Sequence, residues 1–543
     1  MEKLLTLSRI TTLLVPFVIA ACSGKVIAPD PEDSPSDIDT CVVDASPLRR
    51  LSHFEYANTL ADLFPNTQLP VLGLPEDARP HEFDNDVNSL RASEGLVAQY
   101  SVLSASIAAE AIAGEDYPGC EGSDAGAIER CGQEFLSELG AQVFRRPLTS
   151  DELDFYAAFF VEAPADATYS DRQQLTIQLL LTSPEFLYRF ERSLNPDAAP
   201  GTMARLDGYS MANRLSYFLW GTMPDAVLFA AAADKSLDTQ EGIQTQVARM
   251  MADERARSNF THFHSQWLDF DRIFRTTKDD ADGLDDDLRN SLIESARQFV
   301  DNVLFDEGGS VSDLFSSDRI FLDPRLASRL GETLPEGADW GEFQKAERAG
   351  FLTHPLFLAS HGHPDKASPV LRGVFILGRV LCSELGAPPA NAEAAGQAAG
   401  DALVAPFSNR ELYSAMTAED TCQGCLARIN PAGFAFEQFD TMGNFRLVED
   451  NGITIDPAAS FDSWVFSDAK DFSQQLSESP DVAKCVAKKW VRYAYSGGPM
   501  EQSDCLLDEL IVEVEAGEGS IRELMEIVAG HPTFATFAVP EVL

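Results

Sequence analysis

The stretch Thr421–Asp440, TCQGCLARINPAGFAFEQFD, carries two signals. Cys422 and Cys425 have the C-x-x-C spacing that attaches c-type haem. There the two thiols bond the porphyrin and the His immediately after them ligates iron. The residue after Cys425 is Leu426, which has no donor atom. A zinc site needs further ligands, and no second C-x-x-C exists. No βαβ pattern surrounds the pair, so a thioredoxin-like motif has no support. The second half of the stretch leads into Phe445–Asp450, then Asn451-Gly452, then Ile453–Asp456. Asn-Gly between two such runs predicts a β-hairpin with a type I′ turn.

The rest of the chain reads as helix. Apolar residues at helical spacing run from Arg49 to Phe64 and stop before Pro65. Thr149-Ser150-Asp151-Glu152 matches a capping box ahead of Phe155, Phe159 and Phe160. Met211, Leu215, Phe218 and Leu219 make one buried stripe, and Pro224 opens a helix through Leu228. Val482, Val486, Trp490 and Tyr493 make another stripe. The expected fold class is mainly α: a multi-module helical bundle with a small β-hairpin near the C-terminus. No internal repeat marks a solenoid.

The chain has 543 residues and 86 Asp and Glu against 41 Lys and Arg, a formal net charge of -45. That balance argues against nucleic acid and against an anionic membrane surface as partners. Lys3 and Arg9 precede a short apolar run that ends Ala20-Ala21-Cys22. This resembles a lipoprotein signal over residues 1–22, with Cys22 lipidated. Residues 23–46 are rich in Pro, Asp and Ser and read as a disordered acidic tether. No other segment reads as long and apolar enough to span a bilayer. The expected location is extracytoplasmic, held by the lipid alone at the outer membrane of a Gram-negative cell. Eight cysteines remain after Cys22, an even number suited to disulfides in that compartment. Their connectivity is open. Cys120 with Cys131 and Cys485 with Cys505 are the local pairs, and Cys422 and Cys425 are expected to be oxidised, to each other or elsewhere.

Nucleophile-elbow, zincin, P-loop and dinucleotide signatures are missing from the sequence. The acidic run Lys278–Arg289 puts Lys278 and Arg289 at the first and last ligand positions of an EF-hand loop, which suits a solvated loop rather than calcium. Phe83-Asp84-Asn85-Asp86-Val87-Asn88 offers either Asp84 and Asp86 to a hard cation or caps to a helix starting near Ser89. His354, His361 and His363 cluster in sequence; with no Cys or Glu at a fitting spacing they read as loop or capping histidines, and His361 and His363 are the alternative candidates for a metal. His262 and His264 sit two apart on a helix and face different ways.

Several runs together resemble the planctomycete-type cytochrome-C-like secreted family, built from five consecutive domains of unknown function. Arg50–Leu60 with Phe83–Asp86 is similar to the first module, expected over residues 47–115. Phe144–Thr149 is similar to the second, over 125–190. Thr182–Arg189, Leu215–Trp220 and Pro224-Asp225 are similar to the third, over 200–335. Gly350–His354, Ser368–Gly373 and Leu381-Cys382 are similar to the fourth, over 345–395. Asn430–Asp440 is similar to the fifth, over 408–535. The resemblance implies export, and in many members C-x-x-C-H with covalent haem; it implies no established activity. Leu426 departs from that pattern, so no cofactor is expected. The reading is a structural or binding lipoprotein without haem, its partner a surface protein or carbohydrate. The alternatives are a c-type electron-transfer protein, and a hydrolase drawing on His354, His361, His363, Asp365 and Arg372.

Overall fold

Ser52 sets where the first helix begins. Its hydroxyl accepts the Glu55 amide while the Glu55 carboxylate accepts the Ser52 amide, a capping box that opens α1 (His53–Leu63). The expected start at Arg49 is therefore wrong. Arg49–Arg50 form a short strand paired antiparallel with Tyr188–Arg189. Arg49 reaches forward to grip Glu55 with hydrogen bonds of 2.9 and 2.7 Å. The computed structural model describes residues 48–539 apart from 118, 123, 165, 280–282, 387–397, 399–400, 405, 419, 498–506, 509 and 513–518, and gives only the backbone of 420–422. Cys22, the tether, Cys41, Cys505 and the side chain of Cys422 lie outside the described residues.

A first core gathers α1, α2 (Glu94–Gly114), α3 (Ala125–Phe135), α4 (Ser150–Glu162) and α5 (Tyr169–Thr182). Tyr56, Leu60, Tyr100, Ile107, Phe160 and Ile177 fill it. By length and composition α2 is long and apolar enough to cross a membrane, which the sequence reading missed. Leu96, Tyr100, Ile107 and Ala111 bury one of its faces in this core. The Thr149 and Glu152 capping box opens α4 as the sequence predicts, but Phe155 and Phe159 are exposed and only Phe160 is buried. Cys120 and Cys131 are joined by a disulfide ahead of and within α3.

The second core is larger and runs through the expected third, fourth and fifth modules. It begins with α6 (Gly208–Leu219), whose Met211, Leu215, Phe218 and Leu219 are all buried. There follow α7 (Ala226–Ala233), capped by Asp225, α8 (Gln240–Met251), α9 (Glu254–Trp267) and α10 (Asp286–Phe299). Next come α11 (Pro355–Ser360), α12 (Pro369–Phe375), α13 (Asn409–Met416) and α14 (Asp420–Phe434). The series ends with α15 (Ala469–Ser477), α16 (Pro480–Ala494) and α17 (Ile521–Gly530). The α16 stripe of Val482, Val486, Trp490 and Tyr493 is buried, with Trp490 stacked 3.7 Å from Phe263 of α9. The described sheets are all two-stranded, and Met203–Arg205 with Thr536–Ala538 spans the longest interval.

Two glycines explain how the opening stretch is held. A Cβ on Gly433 of α14 would lie 1.9 Å from the Pro369 carbonyl oxygen, and one on Gly373 of α12 would lie 2.0 Å from that of Ile429. The two helices therefore cross backbone against backbone, which only glycine permits at both points. Arg372, fully buried beside Gly373, then donates to the carbonyls of Phe436 (2.6 Å), Phe439 (3.2 Å), Asp440 (3.1 Å) and Leu358 (3.3 Å). One guanidinium thus fixes the irregular segment that follows α14, where backbone groups have no helical partners.

The predicted hairpin is short, held by Glu449 N–H on the Ile453 carbonyl and Ile455 N–H on the Leu447 carbonyl, and a second small hairpin pairs Ala459–Phe461 with Trp464–Phe466. A single bridge joins Val448 and Thr454, with Gly452 N–H donating to the Glu449 carbonyl at 2.8 Å. Gly452 has a positive φ (85°) and Asn451 does not. A type I′ turn needs both central residues there, so the turn centres on Asp450-Asn451 with a left-handed Gly after it. Asn451 instead uses its amide on the Phe407 carbonyl and its oxygen on the Ile453 amide. Pro457 stops the second strand from extending.

The cysteine expectations also change. Cys485 bonds Cys382, not Cys505. Its place on the buried face of α16 aims the sulfur at the turn that ends after Val380, where it meets Cys382 and the Arg379 carbonyl. Cys425 is exposed on α14 and in none of the described disulfides, and the side chain of its expected partner Cys422 lies outside the described residues.

Candidate functional site

Leu426 is half-buried and packs against the second core. A c-type haem motif takes an imidazole directly after its second cysteine, and Cys425 is followed by Leu426. The position that should offer an imidazole offers hydrocarbon, and every histidine is held elsewhere. His53, His81 and His262 face Asp77, Asp86 and Asp84. His264, His354 and His361 are buried, His363 lies along the Tyr413 ring, and His531 contacts Thr533.

His354, His361 and His363 do not converge on a metal; among the described residues no group of His, Cys, Asp or Glu could hold one. His354 caps α11, accepting the Leu356 amide on Nδ1, with Nε2 3.1 Å from Ser295 Oγ. Burial, with Arg348 nearby, drives its pKa down to about 3. His361 bonds the Phe357 carbonyl and Ser360, and burial next to Arg272 holds it neutral. Arg372 spends its donors on main-chain carbonyls, and Asp365 lies beside Lys366 at the surface. His354, His361 and Arg372 are therefore bound up in the fold rather than gathered around a shared site.

Phe83–Asn88 neither caps a helix nor gathers a cation. The next helix is α2, capped by Ser93. Asn85 donates to the Tyr493 carbonyl at 2.8 Å, and Asp86 accepts from Asn88 N–H and faces His81. Asp84 is buried against α9. Its amide donates to Gln266 Oε1 at 2.7 Å, and Gln266 Nε2 returns to Asp84 Oδ1 at 3.1 Å. Asp84 Oδ2 lies 3.1 Å from His262 Nε2. Burial opposes ionisation of Asp84, but His262, Arg79 and Gln266 outweigh it and hold the carboxyl below its usual range.

His262 forms part of the floor of an open cleft of about 400 Å³. The ring is stacked on Phe54 of α1, centroids 3.6 Å apart and planes within 8°. Ser258, Thr261 and Ser265 of α9 face the cleft, as do Glu294 and Arg297 of α10 and Asp301 just beyond it. Arg257 is occupied by Asp306 at 2.6 Å. Arg297 is exposed and has no ion pair among the described residues. Burial raises the Asp301 carboxyl, while Thr261 and Arg257 pull the other way.

Sequence reasoning separated His262 from His264 correctly by face and still missed this site. Phe54, Asp84, His262 and Arg297 come from four distant parts of the chain, and only the crowded polar run at Asp84 hinted at it.

The chain matches five sequence families in succession, each described as a protein of unknown function. These are DUF1587 over residues 49–113, DUF1595 over 131–191, DUF1592 over 206–331, DUF1588 over 348–449 and DUF1585 over 464–534. The match over 348–449 takes in the C-x-x-C and Asn430–Asp440 together with Ser368–Gly373, the two partners of the glycine crossing. Comparison with curated proteins and with solved structures gives no match. The order of these five domains, on a mainly α-helical frame, means that the chain belongs to the planctomycete-type cytochrome-C-like family of domains of unknown function.

Proposed function

We propose that this chain is an exported, lipid-anchored binding protein without covalent haem, and that the cleft between α9 and α10 receives a polyhydroxyl ligand, a carbohydrate at the cell surface. The observation that carries this reading is the cleft itself. It is open, largely polar, and lined by hydroxyls, carboxylates and a guanidinium around a ring pair. Such a lining offers donors and acceptors at close spacing, as vicinal hydroxyls require, and a small number of placed polar groups is how ligand sites fix orientation. Replacement of the axial ligand by Leu426 supports the absence of haem, and Ala20-Ala21-Cys22 supports the anchor.

Affinity electrophoresis of the purified protein in gels containing neutral polysaccharides tests the ligand class. Retardation by at least one polysaccharide, weakened tenfold or more in Arg297→Ala, is expected; equal mobility in all gels would remove the reading. Mass spectrometry of protein recovered from a Gram-negative host tests the rest. A diacylglyceryl group on Cys22 and no mass added at Cys422 and Cys425 are expected, and a haem adduct at those cysteines would overturn the haem-free assignment.

A further inference from the structure

We infer that a cavity at the seam between the two cores binds a small monatomic anion of the chloride type, with Arg189 as its main partner. The cavity measures about 20 Å³, room for one or two water-sized spheres. Its walls come from both sides of the seam. Phe144 and Tyr188 stand with the smaller core, and Tyr209, Ser210 and Asn213 belong to α6. Four arginines line it, Arg145, Arg146, Arg189 and Arg192, against two carboxylates, Glu185 and Asp207. In a chain with 86 acidic and 41 basic residues, that reversal of sign needs a cause.

Three of the four arginines are engaged by the fold. Arg145 donates to the Phe186, Glu185 and Tyr188 carbonyls at 3.0, 3.0 and 2.9 Å. Arg146 grips Glu152 and Glu185, and Arg192, at the rim, lies 3.5 Å from the same Glu185. Arg189 is different. Its side chain is nine-tenths buried and makes no hydrogen bond among the described residues. Glu55 stands 4.0 Å away, its oxygens already taken by Arg49 and the Ser52 amide. Glu191 is taken by Arg214. The Tyr217 ring covers one face of the Arg189 guanidinium at 5.2 Å, and the N–H groups point out along its plane. Burial, with Arg49 alongside, pushes the pKa down to about 9, so the group keeps its charge at pH 7. A buried charge without a partner is costly, and water offers it a hydrogen bond but no countercharge. A monatomic anion supplies both in the space there is. Ser210 adds a donor: its hydroxyl accepts the Arg192 amide at 2.9 Å, which leaves its own proton to give. Glu185 and Asp207 are spent on Arg146 and on the Ser210 amide, and their charge keeps the affinity modest. The anion ties the strand Tyr188–Arg189 to α6, and so one core to the other.

The test uses the full folded chain, prepared in sodium gluconate and titrated with sodium chloride at constant ionic strength. The thermal unfolding midpoint is expected to rise and saturate with chloride and with bromide, and to stay flat with methanesulfonate, which is too large for the cavity. Excess broadening of the chloride NMR line, removed by bromide, is expected in the same protein. Both effects are lost in Arg189→Met. Because Arg189 is buried, Ser210→Ala is the companion variant, in which half-saturation needs about threefold more chloride. Midpoints that follow ionic strength whatever the anion, a chloride line as narrow as in buffer, or an undiminished response in Arg189→Met would overturn the inference.

Discussion

At the scale of single residues, most of the family's polar signatures serve the fold. Arg372 is the clearest case, because its guanidinium is the shared partner of four carbonyls. Arg372→Met strands those carbonyls in a buried site and is expected to cost about 3–5 kcal/mol in urea unfolding. The buried histidines set the acid limit. Burial lowers His264 to about 4 and His354 to about 3, and His361 lies well below its ordinary value. A native pKa below the unfolded one means that the unfolded chain takes up protons first. Stability from these groups is therefore present above about pH 6.5 and lost as pH falls toward the native values, at roughly 1.4 kcal/mol per pH unit for each. Glu437, raised by burial, works the other way. Urea midpoints measured between pH 7 and 5 are expected to fall, and His264→Phe should flatten the slope by one histidine's share. The sequence shows that these residues are unusual for a core, but not what pairs with them, since many of the partners are main-chain groups that carry no side-chain signal.

At the scale of elements, local chemistry was legible and geometry between elements was not. The Thr149 capping box and the stripes of α6 and α16 could be read because both partners lie within one turn or two. The same rule, applied to Ser52 and Glu55, would have started α1 correctly. The Asn451-Gly452 turn misled because the amide of Asn451 is claimed by Phe407, more than forty residues earlier. The α12–α14 crossing gives a sharp test. Gly433→Ala forces a methyl against the Pro369 carbonyl and is expected to lower stability by roughly 3 kcal/mol or more, or to abolish soluble protein. Gly424→Ala on the same helix meets nothing within 4 Å and is expected to be neutral or stabilising by up to about 1 kcal/mol. Thermal unfolding of the pair measures the difference; equal effects would remove the crossing as the reason for Gly433.

At the scale of the whole molecule, the five matched domains are not five cores. The described body has two; the larger draws on the last three domains with Phe83 from the first, and the smaller takes Tyr217 and Met223 from the third. The Cys382–Cys485 bond ties the fourth domain to the fifth across a separation of 103 residues. Closing a loop of that size restricts the unfolded chain by about 4.7 kcal/mol in the chain-entropy description. Cys382→Ala with Cys485→Ala is expected to lower the unfolding midpoint by a comparable amount. Reductant should lower the wild type by more than the double variant, which has only the Cys120–Cys131 bond left to lose among the described disulfides. The cleft at His262 also belongs to this scale, since its floor and walls come from Phe54 through Asp301.

The pairing of Met203–Arg205 with Thr536–Ala538 bears on the order of events during synthesis. Arg214 adds to that seam, its guanidinium donating to the Phe534 and Thr536 carbonyls at 2.7 and 2.8 Å. A nascent chain can complete its first core only once Tyr217 and Met223 are out, and the larger one waits for the last strand to arrive. For the time needed to make more than three hundred residues, α6 and its neighbours have no finished interior to enter. Such delayed closure favours a chain kept open by chaperones, and makes the pairing of Thr536–Ala538 the step that commits the larger core to its native state.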